Sequence, residues 1–166
     1  GASVVMTIQS ELDTLVHGIV TAVNNALCPN KEIQIEVEDR DAAGNVTGTH
    51  METIHVLDEE KALIGDDANR TMGTELFSRR GIERYTEEDV TVVNENGTTS
   101  VQKVYRYNEE DPSNVYTMYT IGQLVTNPVV ARDSSTLPTM YSDAHEGKDG
   151  YANNELLAIA QSFEEK

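Results

Sequence analysis

The stretch Val5-Met-Thr-Ile8-Gln-Ser-Glu-Leu12-Asp-Thr-Leu15-Val-His-Gly-Ile19-Val-Thr-Ala22-Val-Asn-Asn-Ala26 places apolar residues at alternating steps of three and four. That alternation is the seam of a coiled coil, narrower than the broad apolar face of a globular helix. It predicts a helix from Ser3 to Leu27, with Ser3 as N-cap and Pro29 and Asn30 ending it, about 37 Å long at 1.5 Å per residue. Such a stripe needs another long helix to cover it. The candidate lies at the other end of the chain, where Ala152, Leu156, Ile159 or Ala160, and Phe163 repeat the period. The expected fold class is therefore α+β: a β-rich body with hairpins, flanked by two long terminal helices packed antiparallel as a coiled-coil-like stalk. Residues 1–28 and 151–166 form the stalk in this reading, and residues 29–150 the body. The helix-packing interface is expected at Val5, Ile8, Leu12, Leu15, Ile19, Leu156, Ile159 and Phe163. Val4, Val16, Val20 and Val23 lie beside the seam without an evident cover, and any weak dimer is expected to form through them.

Between the helices the period changes from 3.6 to 2. Lys31 to Glu38 alternates with Ile33, Ile35 and Val37 inward, Asp41-Ala-Ala-Gly44-Asn45 is a turn, and Met51 to Leu57 is the returning strand. Val90–Val93 and Ser100–Tyr107 flank Asn94-Glu-Asn-Gly97, and Asn-Gly between alternating residues is the strongest short-range hairpin signal. Val115–Ile121 reads as another strand, Asn127-Pro128 as the start of an extended exit, and Asp133–Gly150 as a loop. Asn153 or Asn154 caps the final helix.

The chain has 166 residues, 12 Lys and Arg against 29 Asp and Glu, and a net charge of -17. Phosphate backbones and anionic lipid surfaces repel such a surface, so neither nucleic acid nor membrane is expected as a partner. No run reaches the ~20 apolar residues that span a bilayer, and Val4–Ile8, broken by Thr7, is too short for a secretory leader. One cysteine, Cys28, excludes an internal disulfide framework.

Motifs that carry chemistry are absent or incomplete. Asp39-Arg-Asp41-Ala-Ala-Gly44 echoes a calcium loop, but Ala43 and His50 stand where oxygen ligands belong. Asp66-Asp67-Ala-Asn69 has no better spacing. His50 and His55 are an odd number apart, so a regular strand puts them on opposite faces and they cannot share a metal. His17 lies beside the seam, in solvent. The abundant carboxylate pairs read as solvated faces. No nucleophile elbow and no phosphate-cradling loop are present. No enzyme activity, metal or cofactor is therefore expected. A contiguous exposed aromatic patch formed by Tyr105, Tyr107, Tyr116 or Tyr119 would be the signature of a glycan- or protein-binding β module on a stalk.

Two stretches resemble the hook-associated protein 1 family of the bacterial flagellum. Glu11-Leu-Asp-Thr-Leu-Val-His-Gly-Ile-Val-Thr-Ala-Val-Asn-Asn-Ala-Leu27 is similar to that family's long helix, with its Leu-Asp-x-Leu opening and Val-Asn-x-x end. Tyr119-Thr-Ile-Gly122, Asn127-Pro128 and Asp133-Ser-Ser-Thr-Leu-Pro138 resemble its return segment, and Asp149-Gly150-Tyr-Ala-Asn-Asn154 the element that opens the helix back into the rod. Phe77 and Gly81-Ile-Glu-Arg-Tyr85 are compatible with its outer domain. The resemblance covers about a third of the residues, in the family's order. It implies an outer lobe of an axial protein at the hook–filament junction, with no catalysis. It further implies export through the flagellar type III system and an extracellular location. The implied partners are hook and junction subunits and further copies of the chain in a helical assembly.

Overall fold

The computed structural model describes residues 1–164, with the backbone alone for Phe163. The elements in chain order are α1 (Ala2–Leu27), β1 (Asn30–Arg40), β2 (Val46–Leu57), β3 (Leu63–Ile64), β4 (Phe77–Arg79), β5 (Tyr85–Val93), β6 (Thr99–Tyr107), β7 (Leu124–Thr126), α2 (Pro128–Arg132), β8 (Met140–Tyr141) and α3 (Asn153–Glu164). Mixed α+β composition with antiparallel sheets agrees with the expected class. The helices differ from it: α1 spans 26 residues and α3 only 12, so there is one long helix rather than a matched pair. The final helix begins at Asn153, after a turn in which Gly147 and Gly150 take positive φ and Met140 bridges Tyr151.

The chain divides into two compact units. The first comprises Gly1–Pro29, Asp58–Arg84 and Asn108–Lys166, and the second Asn30–Leu57 and Tyr85–Tyr107. The first boundary follows Pro29, so Pro29 belongs with the helix rather than with the expected 29–150 body. The rest of the expected 29–150 body does not stay together, since residues 58–84 and 108–150 belong with the helices. Only two hairpins form a separate β unit. Each excursion starts and ends on neighbouring residues: Asp58 N donates to Pro29 O at 2.8 Å, and Asn108 N donates to Arg84 O at 2.9 Å.

In the β unit, β1 and β2 pair antiparallel from Asn30↔Leu57 to Arg40↔Val46, and β5 and β6 from Tyr85↔Tyr107 to Val93↔Thr99. The two hairpins close into a small barrel in the order β1-β2-β6-β5. The closing rungs are few: Ile35↔Val92 and Glu36↔Thr91 on one side, Val56↔Arg106 on the other. Period 2 sends Ile35, Ile54, Val56, Val90 and Val104 into one core, with Ile33, Val37 and Val92 packed against it. The first hairpin turns on Asp41, whose carboxylate accepts the N–H groups of Ala43 and Asn45, and on Gly44 at φ +86°. The second turns on Asn94–Thr98 with Gly97 at φ +82°, as the Asn-Gly pair requires.

The first unit packs the second half of α1 with two short sheets, β3–β8 and β4–β7. Two local readings change. Val115–Thr117 is a 3-10 turn rather than a strand, because Asn114 accepts the N–H of Tyr116 and Asp111 accepts the N–H and hydroxyl of Ser113. Those side-chain bonds offer the backbone a competing partner and defeat the β propensity of Val, Tyr and Thr. Asn127-Pro128 does not begin an extended exit: the Asn127 side chain caps α2 by accepting from Val129 N, with Pro128 in the first turn. Ser3 does not cap α1 either; the helix begins at Ala2 with Gly1 in the cap position and no side-chain cap.

Gly65 shows how closely this unit is packed. A Cβ there would lie 2.4 Å from Ser135 O and 2.9 Å from Thr136 Cα. Gly65→Ala is expected to lower stability in urea denaturation by about 1–3 kcal/mol through overpacking. Gly44→Ala, where the added Cβ meets open space, loses about 1–2 kcal/mol, the cost of a left-handed residue.

Candidate functional site

Helix α1 has two faces with different fates. Toward its C-terminal half, Val20 and Val23 are buried with Asn24, and Leu27 is 3% exposed, a run at i, i+3, i+4 and i+7 that faces the core of its unit. Toward the N-terminus the seam residues stay open: Val5 is 63% exposed, Ile8 58%, Leu12 47% and Leu15 52%. Ile19, at the junction of the two runs, is half-buried. The burial of Val20 and Val23 corrects the expectation that they lie uncovered beside the seam. The 3.6-residue period drifts relative to a strict 3.5 repeat, and the second half of α1 turns this face to the core.

The first half of α1 has little to hold it within this chain. It has no capping side chain and no acidic residue in the first turn, and it is rich in β-branched residues. Thr7 and Thr14 direct their hydroxyls to the carbonyls four residues back. Helix stability in such a segment comes from packing an apolar face, and here that face is a contiguous open stripe. α3 touches α1 but is too short to cover it. Leu156 and Ile159 are half-buried, Leu157 is exposed, and the side chain of Phe163 lies outside the described residues.

The buried half of α1 is fastened by a polar network. Asn24 Oδ1 accepts the N–H groups of Leu76 and Phe77 at 3.1 and 3.4 Å. Its Nδ2 donates to Phe77 O at 3.1 Å and to Glu75 Oε2 at 3.3 Å. The same carboxylate oxygen accepts the Tyr119 hydroxyl at 2.5 Å and lies 3.7 Å from Arg84 Nη1. Arg84 also donates to Asn25 Oδ1 and Cys28 O, at 3.1 and 3.2 Å. Arg79 donates to the carbonyls of Thr117 and Asn108 at 2.8 Å each, with its guanidinium 4.6 Å from the centre of the Tyr119 ring. Burial pushes the Glu75 carboxyl above the ordinary range, opposed by the Tyr119 hydrogen bond and the charge of Arg84. Burial and the Glu75 charge push the Tyr119 hydroxyl up as well. The set is sealed in the core rather than lining a cleft, which suits fastening rather than proton transfer.

Other residues singled out from sequence find structural partners. His17 pairs with Glu110 at 2.9 Å rather than standing in solvent, and Asp13 accepts the N–H of Ile121. His50 meets Asp39 and Glu52, whose hydrogen bonds raise its pKa, and His55 meets Glu32. Asp67 caps its own turn through Thr71, and Asp66 accepts the hydroxyl of Tyr151. Cys28 is buried, its thiol directed to Asn24 O. Among the described residues no cluster of three or more His, Cys, Asp or Glu is arranged to hold a metal ion. Nor is any helix there long and apolar enough to cross a membrane. Of the tyrosines expected in an aromatic patch, Tyr119 is buried, Tyr116 is exposed, and Tyr105 and Tyr107 are half-buried. The chain matches no family model, no curated protein and no solved structure.

The network of Asn24, Glu75, Arg84 and Tyr119 escapes a sequence reading because nothing in the chain marks which of 29 acids is buried. The compact run Glu75-Leu-Phe-Ser-Arg-Arg-Gly-Ile-Glu-Arg84, basic within an acidic chain, is the one available signal. Glu75→Leu leaves Arg84 buried without its carboxylate and is expected to cost about 3–5 kcal/mol in chemical denaturation.

At the start of α3, Glu155 accepts from Lys148 Nζ at 2.8 Å and from the Tyr141 hydroxyl, which hold its carboxyl down to about 2 from 4.5. A depressed carboxylate stabilises the fold above its ordinary pKa, and that contribution is lost as pH falls. The melting-temperature difference between the parent and Glu155→Gln should be present at neutral pH and shrink between pH 4.5 and about 2.

Proposed function

We propose that the chain is a structural part of the bacterial flagellum, an outer lobe of an axial protein at the hook–filament junction, outside the cell and without catalysis. The open stripe Val5, Ile8, Leu12 and Leu15 carries this reading. A helix that keeps a coiled-coil seam in solvent while its other half is bolted into a folded unit is built to continue a helical assembly. Three further features support it. The motifs of the resemblance occur in the family's order around a β module. α1 and α3 touch within one unit, as the base of an antiparallel stalk requires. The hairpin unit is a separate body inserted between them in sequence, as an outer domain is. The partners in this reading are hook and junction subunits and further copies of the chain.

The experiment is immunogold electron microscopy of the source cells with antibody raised against the purified chain. Gold is expected in a narrow band where hook meets filament, and a deletion strain should retain hooks but carry no filaments. Label spread over the cell wall, or filaments of normal length in the deletion strain, overturns the assignment.

A further inference from the structure

α1 carries both a stripe and a groove. At its C-terminal half, Val16, Ile19 and Val20 join Phe77, Leu124, Val125 and Thr126 around an open depression of ≈ 360 Å³. The stripe runs into it, since Ile19 belongs to both. Volume alone would admit a small molecule, but such sites place a few convergent polar groups among the apolar ones. This lining holds no charged side chain, and Thr126 brings its single side-chain hydroxyl. A charge-free apolar groove beside a helix fits the apolar face of another helix, read through anchors at i, i+3 and i+7.

The chain presents one such face. Val5, Ile8 and Leu12 stand at that spacing on the open half of α1, and residues 1–10 contain no charged side chain. In a chain of net charge -17, the groove lining and residues 1–10 are surfaces where two copies can approach with little like-charge repulsion, Glu11 being the one acid within the Val5–Leu12 stretch. The stripe cannot enter its own groove: Val5 and Ile19 sit on one rigid helix, about 21 Å apart at 1.5 Å per residue.

We propose that the Val5–Leu12 face of one copy docks in the Val16/Phe77/Leu124/Val125 groove of a second copy. Donor face and acceptor groove are different surfaces displaced along one helix, so the contact is heterologous. It leaves a free face at one end and a free groove at the other, and it grows as an open stack unless the rotation closes. The inference rests on the reading of the stripe as an assembly surface and names its partner.

The test is sedimentation of the full chain from micromolar to millimolar concentration, at low and high salt. The parent is expected to show a mean mass that rises continuously with concentration, and more so in high salt, which screens the acidic surface. Ile8→Asp and Thr126→Lys, both at exposed positions, are each expected to weaken association by about tenfold or more, with unchanged circular-dichroism melts. Val125→Lys repeats the groove test at a half-buried position. The deciding arm mixes Ile8→Asp with Thr126→Asp, a groove variant chosen so that the two altered surfaces repel each other. One intact face and one intact groove remain in the pair, so a discrete dimer should form and growth should stop there. If the groove variants associate like the parent while Ile8→Asp does not, the groove is not the acceptor: the inference fails and the assembly reading of the stripe stands. A parent that stays monomeric throughout, or a mixture that yields no dimer, also overturns it. Junction labelling in cells is an independent readout and is unaffected by these outcomes.

Discussion

Asn24 grips the start of β4 with both ends of its amide while Glu75, one residue further back, holds the Tyr119 hydroxyl beside Arg84. Three stretches distant in sequence meet at this point: the end of α1, the segment leading into β4, and the segment after β6. Each group in it is buried, and each would carry a desolvation penalty without the others. Arg79 ties Asn108 and Thr117 to the same cluster. Buried ion pairs are weak sources of net stability, but they tolerate few alternative arrangements. Uniqueness of arrangement is what a part must have if its open half is to present a surface in register.

The two units manage their backbones by different means. The hairpin unit satisfies its strands through long antiparallel ladders over a core of five buried aliphatic side chains. The first unit has short strands and relies on side chains to satisfy its backbone. Asn114, Asn127 and Asp133 cap turns and helices, and Asp67 closes a loop. Its density of Asn, Asp, Ser and Thr is the means by which a segment with little regular structure remains packed.

For function, the contrast within α1 matters most. One helix is half fastening and half open face, and the same residue type, an aliphatic side chain on a heptad, serves both. The first ten residues carry no charged side chain in a strongly acidic molecule, so much of the exposed aliphatic area there lies away from like charge, Glu11 and Asp13 following it. An assembly surface at that place is the reading we propose over a ligand-binding β module, since Tyr119 of its expected aromatic patch is buried.

The sequence by itself determined those features that depend on neighbours within about ten residues. These are the helical period of Val5–Ala26, the alternation of Ile33, Ile35 and Val37, and the turns at Gly44 and Gly97, where a left-handed backbone selects glycine. It also carried the acidic balance behind the expectation that neither nucleic acid nor an anionic surface is a partner. Tertiary structure alone decided which α1 residues are covered, because Val20 and Leu12 are equally apolar and differ only in what packs beside them. It decided that Asn127-Pro128 begins a helix and that Val115–Thr117 is a turn, since competing side-chain bonds outweigh propensity there. It placed Glu75 and Asp58, out of 29 acids, among the buried residues, because burial of a carboxylate depends on segments that converge in space and leaves no mark on the local sequence.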